Sequence, residues 1–268
     1  MSMKKLILCD VDSTLTVHHQ PITPKTKEAI LALKEKGYGF GLASGRPIDS
    51  LRAMLNTWGI EDVDILIGLN GAALWDGLRN KSEEYFLLKK QWLKEILDLM
   101  RPFDCVVFKH VPGGIVCNRA DHNIIVSSEM TNRFYAVTRD ESVFYEEETP
   151  LLLFRTTKEK MPEIETYLEK HPSKYYYAFK TQEDLLEFGD KNIRKSYALE
   201  KFCRYNNYPI ENVISFGDTS NDNDLLAISG KGVCMLNGSQ DTKDIADDIT
   251  DKECQEDGWA DYIEKNIL

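Results

Sequence analysis

The sequence predicts an α/β protein, a parallel sheet with helices between its strands, interrupted by an inserted α+β module. Two observations predict it. Short apolar runs without alternation, at residues 5–9, 38–43 and 65–68, read as strands buried on both faces, and helical stretches separate them. The texture then changes over residues 85–188, where paired short segments replace the strand–helix rhythm, and the first texture returns from Asn192. The expected boundaries are residues 1–84 and 189–268 for the main domain and 85–188 for the insertion.

The elements follow in order. The first run ends abruptly in charge at Asp10. A helix comes next, with Thr23 as N-cap, Pro24 at its first position, Ala29, Ile30 and Leu33 on one side, and Gly37 as its stop. Residues 38–43 form a second strand that ends at Ser44-Gly45-Arg46-Pro47. A helix at 48–58 and a strand at 65–68 complete a set of βαβ units with right-handed crossovers. Inside the insertion, helices are expected at 89–100 and 158–170. Strand segments are expected at 105–109, 115–118, 175–180 and 185–188, with antiparallel pairing. The return brings a helix at 194–206, a strand at 213–216, a helix at 221–228, a strand at 232–235 and a last helix at 259–267. No internal repeat or low-complexity segment interrupts this order.

Composition narrows the function. The 268 residues are 42% hydrophobic and 29% charged, close to globular averages of ~45–50% and ~25%. Their 33 basic against 44 acidic side chains give a net charge of −11, which argues against a nucleic-acid partner. The six cysteines show no CxxC spacing and read as reduced thiols. The apolar run before Asp10 is too short for a signal-peptide core of ~7–15 residues, and none approaches the ~20 needed to span a bilayer. A soluble cytoplasmic protein is expected, with no membrane association and no obligate protein partner.

Chemistry concentrates at three strand ends: Asp10-Val11-Asp12-Ser13-Thr14, Ser44-Gly45-Arg46, and Gly217-Asp218-Thr219-Ser220-Asn221-Asp222. In open parallel sheets, ligands bind outside the carboxyl ends of the strands, so a shared sheet would bring these clusters to one pocket. Asp10, Asp12, Asp218 and Asp222 would repel one another there unless a cation sits among them. Oxygen ligands without His or Cys favour Mg2+ over zinc. Any single strand-end aspartate is more often a turn or cap residue. Three such clusters, each after an expected strand, are harder to assign to turns alone.

These residues resemble the motifs of the haloacid dehalogenase superfamily. Asp10-Val11-Asp12-Ser13-Thr14-Leu15 is similar to its first motif, although the family usually has Gly at the position of Ser13. Ser44 resembles the second motif, Lys195 in Arg194-Lys195-Ser196 the third, and Gly217-Asp218 through Asp222 the fourth. The insertion and the tail Gly232-Val233-Cys234-Met235-Leu236-Asn237 are similar to the Cof-type phosphatases, which carry a C2B cap on a Rossmann-like core. The resemblance implies Mg2+-dependent hydrolysis of a small phosphorylated metabolite through an aspartyl-phosphate. It makes Asp10 the nucleophile and Asp12 the acid and base. It implies a metal held by Asp10, the Asp12 carbonyl and Asp218. Phosphoryl contacts would come from Val11, Ser44, Gly45, Lys195 and Asn221, with Thr14 and Asp222 in support. Sugar phosphates and phosphorylated cofactors such as pyridoxal or flavin phosphate are all compatible with the cap sequence. His18-His19 read as loop residues, and of Tyr175-Tyr176-Tyr177 period-two alternation should bury some.

Two other readings remain open. A phosphotransferase or mutase would hand the phosphoryl group to a sugar hydroxyl faster than to water. A phospho-accepting receiver module also uses acids, Mg2+, a Ser/Thr and a Lys. The placement of Asp12 two residues after Asp10, and an insertion of ~100 residues, argue against the receiver.

Overall fold

In the computed structural model, which describes residues 5–17, 20–130 and 133–268, the uninterrupted apolar runs become the interior strands of the first sheet. β1 (Leu6–Cys9), β2 (Gly39–Ala43) and β3 (Ile65–Gly68) are buried at every position. Between them lie α1 (Pro24–Glu35) and α2 (Ile48–Trp58). The Thr23 hydroxyl caps α1 by accepting from the Thr26 N–H at 3.1 Å, and Ala29, Ile30 and Leu33 turn inward. Two further strands, β4 (Ala73–Asp76) and β5 (Lys81–Glu84), extend the sheet beyond β3. The sequence reading has no strand at either. β5 is the run Lys-Ser-Glu-Glu, mostly exposed, and an edge strand of that composition carries no hydrophobic period.

The inserted segment builds a second sheet. Its elements are α3 (Lys90–Met100), β6 (Val106–Val111), β7 (Gly114–Cys117), α4 (His122–Met130), β8 (Phe134–Val137), β9 (Leu151–Arg155), α5 (Met161–Glu169), β10 (Tyr177–Gln182) and β11 (Leu185–Gly189). The strand order is β10-β11-β9-β6-β7-β8. Pairing is antiparallel except between β7 and β8, which run parallel on either side of α4. A core of its own forms from Leu93, Ile96 and Leu97 of α3 with Leu152, Phe154 and Phe188 of the sheet. Tyr176 is buried in this core, whereas Tyr175 and Tyr177 are exposed; Tyr175 stacks on Trp92 at 4.8 Å.

The chain then returns through α6 (Lys195–Asn206), β12 (Val213–Gly217), α7 (Asn223–Ile228), β13 (Lys231–Cys234), α8 (Gln240–Ile245), β14 (Asp248–Ile249) and α9 (Gly258–Asn266). The first sheet has the order β14-β13-β12-β1-β2-β3-β4-β5, parallel from β14 to β3 and antiparallel between β3 and β4. This is an α/β fold of the parallel-sheet type. The chain divides into two compact units, Met1–Glu83 with Arg194–Leu268, and Glu84–Ile193. In the first unit β1 lies between β12 and β2, with Cys9 level with Phe216 on one side and Leu42 on the other. The carboxyl ends of these three strands therefore lie side by side.

Candidate active site

The register sets the site. Asp10 follows β1 directly and extends its ladder by donating its N–H to the Phe216 carbonyl at 2.9 Å. Asp218 leaves the end of β12, one step from Asp10, and Ser44 leaves the end of β2. Asp10 and Asp218 are each 7% exposed, and Lys195 and Asp222 are fully buried. Lys195, the first residue of α6, donates from Nζ to Asp10 Oδ1 at 2.7 Å and to Asp222 Oδ1 at 2.6 Å. The other Asp222 oxygen accepts the Asp218 N–H at 3.0 Å, and Thr14 donates to Asp218 Oδ1 at 3.3 Å. Asp224, the second residue of α7, accepts the Ser196 N–H at 2.8 Å and so ties the start of α6 to α7.

The electrostatics of this cluster are unbalanced. A carboxylate oxygen from each of Asp10, Asp218 and Asp222 lies within 4.8 Å of the others, against the single ammonium of Lys195. Burial pushes the Asp10 carboxyl well above the usual carboxylate range, while the Lys195 charge pulls the other way. Burial also raises Asp218, to about 7, and the neighbouring Asp222 charge adds to it. Burial disfavours the Lys195 charge, but Asp10 and Asp222 more than restore it and hold the ammonium above its ordinary pKa. Three carboxylates sharing one counter-charge in a buried pocket suit a hard divalent cation, which would relieve the remaining repulsion.

Asp12 and Arg46 form a second pair. Arg46 donates from Nε to Asp12 Oδ2 at 2.9 Å and from its terminal nitrogen to Oδ1 at 2.8 Å, a bidentate contact. Ser44 Oγ accepts the Arg46 N–H at 3.3 Å, which leaves its own O–H as a donor. Val11 is buried, and Gly45 is half-buried beside Ser44. Asn221 is exposed, fixed by Thr219 Oγ1, which donates to its Oδ1 at 2.7 Å. His18 and His19 lie outside the described residues.

The structure also brings in residues that motif reading leaves out. Arg46 stands beside Ser44 in the sequence, and the motif gives it no role, yet it is the direct partner of Asp12. Asn237 donates to the Ser13 carbonyl at 2.9 Å and accepts the Cys254 N–H at 2.8 Å, bracing the turn after Asp12. Asn70 accepts from Asn221 at 3.2 Å. Asn70 was legible in principle, because it follows the carboxyl end of β3 as the other clusters follow theirs.

The sequence pattern of the haloacid dehalogenase-like hydrolases matches residues 7–263. A 5-amino-6-(5-phospho-D-ribitylamino)uracil phosphatase of Bacillus subtilis, YitU, is 25% identical over 264 residues, covering 97% of this chain and 96% of that protein. A haloacid dehalogenase-like hydrolase from Bacteroides thetaiotaomicron has the same fold, with a TM-score of 0.88, 23% identity and coverage of 98% and 99%. The subclass IIB sugar phosphatase BT4131 shares it too, with a TM-score of 0.79 at 20% identity over 97% and 98% of the two chains. The chain belongs to the haloacid dehalogenase-like hydrolases. Within that family it is an enzyme of the phosphatase kind. No helix among the described residues is long and apolar enough to cross a membrane.

Proposed function

We propose that the chain hydrolyses a small phosphomonoester in two in-line steps with Asp10 as nucleophile. The observation that carries this reading is the buried contact of Asp10 with Lys195 at the end of β1. The Lys195 ammonium occupies Oδ1 of Asp10 and leaves Oδ2 to attack phosphorus, forming an aspartyl-phosphate and breaking the ester bond. Asp12 gives its proton to the leaving oxygen. It then takes one from the water that attacks the aspartyl-phosphate, which releases phosphate and regenerates Asp10. The Lys195 ammonium, the Ser44 hydroxyl, the Asn221 amide and the backbone at Val11 and Gly45 are placed to receive the phosphoryl oxygens as charge builds on them. Asp10, the Asp12 carbonyl and Asp218 would hold Mg2+, with Asp222 behind Lys195, and the ion would supply charge neutralisation at the phosphoryl group.

The unit Glu84–Ile193 serves in this reading as a C2B-type cap that carries the choice of leaving group. The substrate class is a phosphorylated small metabolite, a polyol or sugar phosphate or a phosphorylated cofactor. YitU, with its ribitylamino-uracil phosphate, falls in that range. The test is turnover of p-nitrophenyl phosphate with and without Mg2+ by the wild type and by Asp10→Asn. Metal-dependent turnover that vanishes in a folded Asp10→Asn variant is expected. Near-normal turnover in that variant would remove Asp10 as the nucleophile, and a single phosphorylation without turnover would favour a phospho-accepting module.

A further inference from the structure

The segment after β3 touches the second, third and fourth motifs of the site yet belongs to none. Its backbone is unusual: Leu69 (φ 50°) and Asn70 (φ 56°) are consecutive non-glycine residues in the left-handed region, and both are buried. For a bulky residue such as Leu69 that conformation is a true outlier, so the surroundings must impose it. They do so through the site. The Leu69 N–H donates to the Arg46 carbonyl at 3.0 Å and the Asn70 N–H to the Ser44 carbonyl at 3.1 Å. Gly71 follows at φ 104°, where a β-carbon would collide with the carbonyl of Arg194, the residue before Lys195. The side-chain amide of Asn70 lies over Gly45, so that a β-carbon there would stand 3.3 Å from both of its polar atoms.

Hydrogen-bond direction gives this placement a consequence. Thr219 Oγ1 accepts the Asp222 N–H in a capping box, so its own proton goes to Asn221 Oδ1. The Asn221 amide is thereby turned with Nδ2 toward Asn70, whose Oδ1 accepts it at 3.2 Å. One N–H of Asn221 is held by Asn70 and the second is left for a ligand. We propose that Asn70 is a positioning residue for phosphoryl binding, its side chain orienting Asn221 through the Thr219–Asn221–Asn70 relay while its backbone N–H, which any residue there keeps, holds the Ser44 turn. The inference rests on the phosphatase reading of the site, in which Asn221 meets a phosphoryl oxygen. The strained backbone is explained with it: the left-handed pair carries the Asn70 amide from the end of β3 to the gap between Gly45 and Asn221.

The test uses Asn70→Gly, because glycine keeps the left-handed backbone without strain and removes only the amide. Four proteins are compared, wild type, Asn70→Gly, Asn221→Ala and the double variant, with kcat/KM for p-nitrophenyl phosphate and the Ki of inorganic phosphate as readouts. Each single variant is expected to lose between about 10- and 100-fold in kcat/KM and to weaken phosphate inhibition. The double variant should be no worse than Asn221→Ala alone, and Asn70→Gly should unfold at or above the wild-type temperature. Unchanged kinetics in Asn70→Gly, or losses that multiply in the double variant, would overturn the relay. Asp10→Asn, run alongside, separates the two claims. If it is inactive, such results sink the relay alone; if it turns over normally, the phosphatase reading falls and the relay with it.

Discussion

Arg46 and Asp12 meet through two parallel hydrogen bonds, the arrangement in which a guanidinium fixes the plane of a carboxylate as well as its charge. Both Asp12 oxygens accept there, so in the proposed reaction Arg46 must free one of them before that oxygen can carry a proton to the leaving oxygen. The other, still held, keeps the acid in line, which is worth most where leaving-group protonation is hardest. Arg46→Ala is therefore expected to reduce kcat/KM by about 10-fold or more for an alkyl phosphate and by less for p-nitrophenyl phosphate. Equal losses on the two esters would show that Arg46 binds phosphate instead of orienting Asp12. Ser13 makes a different case. It sits at φ 65°, its N–H donates to the Thr16 carbonyl at 2.7 Å, and Asn237 holds its own carbonyl. A β-carbon in that region costs energy that glycine avoids, so Ser13→Gly should stabilise the fold by about 0.5–1 kcal/mol, read as a higher Tm. A lower Tm would mean that the serine hydroxyl makes a bond worth more than the strain. At this scale the sequence was partly legible. Asp10, Asp12, Ser44 and Asp218 stand out after strand ends, whereas Lys195 is picked out by the family resemblance alone. Arg46 and Asn70 stand after strand ends too, but their roles, like that of Asn237, depend on which partner the fold brings opposite them.

Elements were most legible where packing and local signals agree. α2 and β3 lie where periodicity and apolar runs put them, and Thr23 and Pro24 begin α1 as capping chemistry requires. In the inserted unit, α4, β8 and β9 have no counterpart in the sequence reading, β9 although its run Leu151–Arg155 is buried along nearly its whole length. The apolar residues of α4, Ile124, Ile125 and Val126, are β-branched and consecutive, so they show no helical period, and β8 is exposed along its length. β11 was legible as a strand, but its central Glu187 needs the structure to be understood. Burial pushes its carboxyl up to about 7, against a hydrogen bond from Thr181 at 2.9 Å and the charge of Arg155. An unfolded glutamate titrates near 4.5, so between about 4.5 and 7 the native chain holds a proton that the unfolded chain has released. Stability therefore falls as pH rises through that window, by roughly 3 kcal/mol, and the full cost remains above it. Glu187→Gln should flatten the decline in Tm between about pH 5 and 8. An unaltered slope would place the responsible group elsewhere.

The whole chain combines two sheets of opposite character, and the sequence showed this as a change of texture. The chain divides at Glu84 and Arg194; the sequence reading sets the insertion at residues 85–188. Net charge is the property that belongs to the molecule as a whole. Its −11 opposes any anionic substrate, although part of it is gathered in the buried aspartates, where Lys195 offsets some of it. The remainder acts at long range and is screened beyond ~8 Å at physiological ionic strength. Raising KCl from about 10 to 150 mM at saturating Mg2+ should therefore increase kcat/KM for a dianionic phosphomonoester about two- to threefold, because screening removes more repulsion than attraction. The Ki of inorganic phosphate should fall by a similar factor, since it reports the binding part alone. The sign decides the question. Loss of kcat/KM with added salt would mean that the field at the mouth of the site is positive, set by Lys195, Arg46 and the bound cation, and that the −11 of the surface is too diffuse for an incoming phosphate to sense.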